Sequence, residues 1–369
     1  MDSVINFALI GCGRIAGHNS RAILATDGLA LVAVCDLELE KAKTYANEFQ
    51  VPAYQNYRRM LSQHPEIDVV VIATPSGMHF EHAMEMLDYS KSVVIEKPTF
   101  MRPSQLNQAY DKASALGLNI FPIFQNRYNK AVQRTKKAIV GGELGDIRLM
   151  NVRVRWCRPQ GYYDLSPWRG TYAQDGGALT NQGIHHLDLL RFLGGELKDV
   201  KAVMRTLGAD IEVEDAVVAS FSYYGDAIGS LEVTTAARPD DFEASISIVG
   251  SKGLAQIGGI AVNELQIFTP DPSACEKYSE DFSDCVYGHG HLALYAAVKA
   301  SLTENKPYLI QRSDCTQTIH LLHAFYSSDE KGCTINLADR LESSRLGQTD
   351  EGLAKLYRTT VEKNYKVIK

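Results

Sequence analysis

The chain has 369 residues, 45% of them hydrophobic, and a formal net charge of -6. That is enough chain and apolar material for two domain cores, and an acidic balance without a basic run excludes the electrostatic footprint of a nucleic-acid or anionic-membrane binder. The seven cysteines (Cys12, Cys35, Cys157, Cys275, Cys285, Cys315 and Cys333) are scattered, with no Cys-x-x-Cys pair. They favour a reducing compartment over a disulfide framework. No window approaches the roughly 18 apolar residues of a membrane span, no leader-like segment precedes the first strand-like run, and a cytoplasmic protein is expected.

The first third alternates between the two periodicities of a parallel α/β unit. Phe7-Ala8-Leu9-Ile10 reads as a strand, Gly11-Cys12-Gly13-Arg14-Ile15-Ala16 as a turn into a helix, and residues 31–35 as the next strand, ending at Asp36. This is G-x-G-x-x-A with an acidic residue about 20 positions beyond the loop, the context a dinucleotide fingerprint demands. Gly11 permits the tight turn, Gly13 admits a pyrophosphate to the backbone, and Arg14 and Ile15 open the helix whose N-H groups would hold it. Asp36 would accept hydrogen bonds from a ribose diol and repel a 2'-phosphate, so NAD is expected rather than NADP.

Two further buried-strand runs follow, residues 68–73 and 92–95, ending in Thr74-Pro75-Ser76-Gly77-Met78-His79 and in Glu96-Lys97-Pro98. In open parallel sheets ligands lie beyond the carboxyl ends of the strands, so both tips are expected at the cofactor. A step over residues 119–124 leads to the polar cluster Gln125-Asn126-Arg127-Tyr128-Asn129, and the domain boundary is placed near residue 125.

From residue 147 onward, the runs 148–156, 200–206, 216–223, 229–235, 243–250 and 254–257 alternate and are rich in Val, Thr and Tyr. They predict a large, mostly antiparallel sheet with one covered face. Between the early strands lies Gly176-Gly177-Ala178-Leu179-Thr180-Asn181-Gln182-Gly183-Ile184-His185-His186-Leu187-Asp188, read as a glycine-marked entry into one helix with Asn181 and His185 on a shared face. Gly194-Gly195 ends that helix. Helical spacing returns over residues 314–326, and Leu353, Leu356, Tyr357, Val361 and Tyr365 predict an amphipathic helix over 350–366, either packed on its own subunit or added to an oligomer contact. The expected organisation is an N-terminal α/β Rossmann domain (1–125), an α+β domain (126–340) and a C-terminal extension (341–369).

Together the Gly11 loop, Thr74-Pro75 with His79, Glu96-Lys97-Pro98, and Gly176-Gly177 through His185 and Asp188 resemble the glucose-fructose oxidoreductase, inositol dehydrogenase and rhizopine catabolism family of NAD(P)-dependent oxidoreductases. A narrower resemblance lies in Gln125-Asn126-Arg127, residues 155–163, Pro167-Trp168-Arg169-Gly170-Thr171, Ile211-Glu212-Val213-Glu214-Asp215 and Gly288-His289-Gly290-His291. These are similar to the nucleotide-sugar branch that oxidises C3 of UDP-N-acetylglucosamine or its uronic acid before transamination.

That resemblance implies Lys97 and His185 as the catalytic pair, Gln125, Arg127, Tyr163, Asn181 and His291 at the substrate, and Gly11, Gly13, Arg14, Ile15, Asp36, Thr74, Pro75, His79, Glu96, Lys97, Trp168 and Arg169 at NAD. It also implies a homo-oligomer, dimer or tetramer, formed through the C-terminal sheet. Oxidising a secondary alcohol requires a base and a cation beside one hydroxyl while hydride leaves for the nicotinamide. Histidine, titrating ordinarily near pH 6.5, suits the proton; a desolvated lysine is the other candidate base. Asn181 stands where many family members have aspartate, which removes an aspartate-driven relay and leaves an amide for positioning the sugar. Arg155 and Arg238 are further candidates for a diphosphate or sugar carboxylate. His186 and Asp188 are read as packing and helix hydrogen-bonding residues. Other readings are a family oxidoreductase of free sugars or polyols, a non-catalytic NAD-binding regulator, and a metal hydrolase built on the histidines. Against the last, no metal spacing such as His-Glu-x-x-His is present.

Overall fold

The computed structural model describes residues 4–282 and 288–359. Cys285, Val361 and Tyr365 lie outside the described residues. The chain divides into two compact units, Met1–Ile123 with His291–Thr316 and Thr349–Lys369, and Phe124–Gly290 with Gln317–Gln348. The break falls at 123/124, and neither unit is one continuous stretch. Residues 291–316 and the described residues 349–359 belong with the N-terminal unit, because their apolar and charged side chains find partners there.

The first unit carries strands β1 (Ile5–Ile10), β2 (Leu29–Cys35), β3 (Ala53–Tyr54), β4 (Val69–Ile72), β5 (Ser92–Ile95) and β6 (Ile120–Pro122). They form a sheet of order β3-β2-β1-β4-β5-β6 whose pairs are all parallel. β4 and β5 are buried at every position, as expected of parallel strands covered on both faces; each such Val or Ile contributes about 1.5–3 kcal/mol on burial. The sheet is covered by α1 (Ala16–Leu24), α2 (Leu39–Phe49), α3 (Tyr57–Gln63), α4 (His79–Asp88) and α5 (Pro103–Ala115). Successive connections run to opposite sides of β1, so a topological switch point lies between β1 and β4. In register, Ile10 pairs with Cys35 and Ile72, and Ile72 with Ile95, which brings Gly11, Asp36, Ala73 and Glu96 to one edge of the sheet.

The second unit holds α6 (Lys130–Val140), β7 (Ile147–Arg155), α7 (Gln160–Tyr163), α8 (Ile184–Gly194), β8 (Leu197–Arg205), β9 (Ala216–Tyr223), β10 (Ile228–Thr234), β11 (Glu243–Gly250), β12 (Leu254–Gly258), β13 (Glu264–Phe268) and α9 (Ala274–Tyr278). α10 (Gly290–Glu304) and α11 (Arg312–Lys331) follow, then β14 (Ile335–Asn336) and α12 (Glu351–Ala354). The eight-stranded sheet has the order β13-β12-β11-β7-β10-β9-β8-β14, antiparallel except for the β7/β10 pair. Buried Met150, Val152 and Val154 alternate with more exposed neighbours on β7, and α8 packs on this covered face, where the Tyr223 hydroxyl donates to the Leu190 carbonyl at 3.3 Å.

β13 and β14 were not anticipated. β13 has a burial pattern that breaks period two, and β14 is two residues long. The C-terminal helix is shorter than its apolar spacing predicts: one turn over Glu351–Ala354, a 3-10 turn over Lys355–Tyr357, then extended backbone at Arg358. Arg358 pairs there with Glu81 at 2.8 Å, and Arg58 donates to the Thr359 carbonyl at 3.3 Å, so this segment packs on its own unit. Among the described residues no helix is long and apolar enough to cross a membrane.

Candidate active site

In the first unit, Gly11 has φ +92 and lies so close to β4 that a Cβ there would sit 2.5 Å from the Ala73 carbonyl oxygen, a site only glycine fills. Gly13 faces open space, with nothing within 4 Å of where a Cβ would project. No side chain caps α1 and no acidic residue occupies its first turn. The Ala16 N-H donates to the Gly13 carbonyl and the His18 N-H to that of Ile15, so it is the uncapped turn at Gly13, Arg14 and Ile15 that presents the positive helix end to an anion. The Asp36 carboxylate accepts from the Cys12 N-H and the Glu38 N-H, both at 2.8 Å, which fixes it at the tip of β2 with lone pairs remaining for a ribose diol. These residues fit a dinucleotide.

At the next tips, Thr74 and Pro75 are half-exposed, and the Thr74 hydroxyl bonds the buried His82 at 2.9 Å. His79, expected at the cofactor, is placed as an internal tie. It is 1% exposed, with its ring nitrogens 2.8 Å from the Pro98 carbonyl and 2.9 Å from that of Thr74. It joins the loops after β4 and β5 and is sealed from the solvent edge.

Glu96 is likewise turned inward. Its carboxylate accepts from Asn19 of α1 at 2.9 Å, lies 3.9 Å from the His291 ring, and is 5% exposed. Burial acts to raise its pKa, but His291, Asn19 and Lys97 outweigh that and hold it below the usual carboxylate value. Tyr295 completes the group by donating to the side-chain amide oxygen of Asn19 at 2.8 Å. His291, expected in a glycine-flanked loop either at the substrate or as a structural turn histidine, lies in the first turn of α10. It is 3% exposed and stacked on His18 with ring centroids 6.1 Å apart. Burial, then His291 and Arg21, push the His18 pKa down to about 4. Lys97 remains half-exposed at the tip of β5, joined to Pro98 by a cis peptide bond.

In the second unit the glycine-marked entry is not one uninterrupted helix. Ala178–Gln182 form a π-helical turn, closed by the Gly183 N-H on the Ala178 carbonyl at 2.7 Å, and α8 starts only at Ile184. Such turns widen the helix by a residue and concentrate at functional sites. Asn181 sits in the π turn and His185 in the first turn of α8, so they do not share the simple i, i+4 face of one α-helix. Asn181 donates to the Asp175 carboxylate and accepts from the Gln182 amide at 2.7 Å. His185 is 7% exposed, with the Phe124 ring edge-on at 6.0 Å.

Gln125 is 5% exposed, and its amide oxygen is buried without a hydrogen-bond partner among the described residues, as a ligand-facing acceptor would be. Arg127, expected at the substrate, is buried in the second unit. It donates from Nε and a terminal nitrogen to Asp188 at 2.6 and 2.7 Å, both residues are 1% exposed, and its guanidinium lies over Phe192. Its charge is matched inside the unit, and a diphosphate has no access to it.

Tyr163, expected at the substrate, is buried as well. It is 8% exposed, its hydroxyl bonds Thr235 at 3.0 Å, and burial pushes its pKa up to about 12. Its half-exposed neighbour Tyr162 takes the outward position instead, with the guanidiniums of Arg169 and Arg158 at 4.3 and 5.7 Å from its ring centroid. Arg169 also stacks on Trp168 at 4.6 Å. Trp168 and Arg169 thus form a half-exposed aromatic and cationic layer on the second unit. Arg155 is committed to Glu232 at 2.6 Å and Glu243 at 3.4 Å, and Arg238 to the carbonyls of Ala237, Gly208 and Thr235. Among the described residues, no three His, Cys, Asp or Glu side chains converge as a metal site.

Residues 5–124 match the model of an oxidoreductase family with an NAD-binding Rossmann fold, and residues 132–256 match that of the GFO/IDH/MocA C-terminal domain. The WlbA dehydrogenase from Bordetella pertussis, solved in complex with NADH and UDP-GlcNAcA, is 35% identical, with a TM-score of 0.86 over 91% of this chain and 98% of that one. The chain belongs to the GFO/IDH/MocA oxidoreductase family. Another similar structure is the WlbA dehydrogenase from Chromobacterium violaceum with NADH and UDP-GlcNAcA, at 33% identity and a TM-score of 0.82 over 91% of this chain and 96% of that one. Among curated proteins, D-glucoside 3-dehydrogenase of Escherichia coli is 25% identical over 91% of this chain and 98% of its own length. Both GFO/IDH/MocA domains are present here in the family order, and the first is an NAD-binding domain. The enzyme is an NAD-dependent oxidoreductase.

Sequence reasoning missed three residues: in the first unit Asn19, which holds Glu96, and in the second Asp175, which holds Asn181, and Glu214, which lies under the π turn. Glu214 stood inside a motif that carries the branch resemblance, without a role. Asp175 and Asn19 had only their polarity beside apolar runs as a signal.

Proposed function

We propose that this enzyme uses NAD to oxidise the C3 hydroxyl of a UDP-N-acetyl amino sugar, UDP-GlcNAc uronic acid or UDP-GlcNAc, to the 3-keto sugar, for a 3-amino sugar of surface polysaccharide or lipopolysaccharide. The observation that carries this reading is the similarity to the Bordetella enzyme, whose crystals hold NADH and UDP-GlcNAcA, over nearly the full length of both chains. NAD, when bound, supplies the hydride acceptor. His185, in the first turn of α8, is assigned the hydroxyl proton. Lys97, at the tip of β5, is assigned the developing negative charge on the same oxygen; with the roles exchanged, the lysine is the base. Gln125 and Asn181 offer amide groups to the sugar, and Trp168 with Arg169 offers a ring face and a cation to the cofactor or the substrate anion.

The reading includes a cytoplasmic homo-oligomer. The outer face of the second sheet supports it, with Val203, paired to Val218, and Ile228 exposed by 47, 62 and 58%, an apolar patch of the kind subunit interfaces cover. Light scattering of the purified protein tests this directly, and a monomer would remove it.

The deciding experiment incubates purified enzyme and NAD with a panel of UDP-sugars under single-turnover conditions and follows nicotinamide reduction, with 2-oxoglutarate tested alongside as a recycling acceptor. Reduction by UDP-GlcNAcA or UDP-GlcNAc is expected. The similarity to D-glucoside 3-dehydrogenase favours a second reading, oxidation of a sugar without a nucleotide; reduction by free glycosides or polyols but by no UDP-sugar would select it. Tight binding without reduction would select a non-catalytic regulator.

A further inference from the structure

Glu214 has no part in the chemistry above, yet it is 3% exposed and lies directly beneath the segment that leads to His185. Its Oε1 accepts the Tyr326 hydroxyl at 2.8 Å and the Leu179 N-H at 3.1 Å. Its backbone carbonyl accepts the Ala178 N-H at 2.9 Å. Having donated to Glu214, the Tyr326 hydroxyl accepts from the Gly177 N-H at 3.2 Å and bonds the Thr180 hydroxyl at 2.8 Å. The carboxyl and the phenol thus anchor Gly177, Leu179 and Thr180, and the Glu214 backbone carbonyl anchors Ala178, at the start of the π turn. Gly177 is obligatory here, because a Cβ at that position would overlap the carboxyl group of Glu214.

The same carboxyl is poorly equipped to carry a charge. Its Oε2 is buried with no hydrogen-bond partner among the described residues. The charged and titratable groups facing it are Tyr326 from α11, Tyr172 from the loop before the glycine pair, and Arg345 from the segment after β14. Arg345 is already engaged by Asp329 at 3.0 Å and Glu330 at 3.3 Å. An unpaired charge in such a place is far more costly than a neutral acid lacking one hydrogen bond.

We infer that Glu214 is a positioning residue: its neutral carboxyl, clamped by Tyr326 and the Leu179 N-H, holds residues 177–182 in the π turn that sets Asn181 and His185, and its ionisation loosens that turn. The neutral form is available in the working range, since burial pushes the Glu214 pKa up to about 7, with Tyr326 and the backbone N-H groups opposing it. The effect on catalysis rests on the proposed role of His185, whereas the clamp itself does not.

The test compares the full-length wild-type protein with Glu214→Gln, which is neutral at every pH and keeps an acceptor oxygen. The readout is hydrogen-deuterium exchange of residues 178–185 between about pH 6 and pH 8, corrected for intrinsic rates. In the wild type, exchange is expected to rise about tenfold beyond the intrinsic change, and in Glu214→Gln less than about twofold. Equal pH dependence in the two proteins, or none in the wild type, overturns the inference. Should Glu214→Gln fail to fold, Tyr326→Phe serves in its place. Loss of the donor to the carboxylate moves the wild-type midpoint upward, and an unmoved midpoint refutes the clamp. Turnover is measured in parallel. If the exchange result holds while no sugar is oxidised, the functional reading falls and the clamp stands. If sugar oxidation occurs, kcat is expected to decline above a pH of about 7 in the wild type and not in Glu214→Gln, with KM for NAD unchanged in the variant.

Discussion

Arg127 grips Asp188 with two hydrogen bonds, of 2.6 and 2.7 Å, in a place where each residue is 1% exposed. Thr318 adds a third bond to the same carboxylate at 3.0 Å. The pair ties the segment after β6 to α8, and so holds the helix that carries His185. Arg127→Ala leaves Asp188 buried without its cation and is expected to destabilise the enzyme by about 3–5 kcal/mol, measured by urea unfolding. Weakened UDP-sugar binding at unchanged stability would instead restore Arg127 to the substrate.

Asp36 is held by two backbone N-H groups with its remaining lone pairs available. Asp36→Ala is expected to lower the NAD-over-NADP preference in kcat/KM by about tenfold or more, since about 1.4 kcal/mol corresponds to that factor. Steady-state kinetics with both cofactors check this, and an unchanged ratio refutes the assignment.

Lys97→Ala and His185→Ala are each expected to reduce sugar oxidation by about 10²–10⁴-fold, the usual worth of a positioned proton-transfer group, while NAD binding by calorimetry stays within a few-fold of wild type. Normal turnover in either variant removes that residue from the chemistry.

Stability should respond to pH in two opposed ways. Burial pushes the His186 pKa down to about 4, so the folded state binds fewer protons than the unfolded chain between pH 6.5 and 4. Its contribution, about 3 kcal/mol, is present above the unfolded value near 6.5 and lost as pH falls through the folded one. Glu214 has its pKa raised from 4.5 to about 7, and its contribution is complete below the unfolded value and lost as pH rises through about 7. Chemical denaturation of His186→Phe should therefore show less loss on acidification than wild type, and Glu214→Gln less loss on going to alkaline pH. Slopes identical to wild type in both variants would show that neither group titrates differently on folding.

By itself the sequence determined the local events. The buried runs at 69–72 and 92–95, the Gly11 turn with Asp36, and the period-two strands of the second half depend on residues within a few positions of one another, so pattern alone specifies them. The tertiary structure decided which polar groups stay available. Arg127 and Tyr163 sit in motifs that look ligand-facing, yet their partners Asp188 and Thr235 are 61 and 72 residues away. Glu214 meets Leu179 and Tyr326 across 35 and 112 residues, and the π turn at Asn181 exists because that contact anchors its start. A buried donor or acceptor must find a partner wherever the fold supplies one, and the folded neighbours, which local pattern does not encode, settle whether a charged side chain meets a ligand or another part of the same chain.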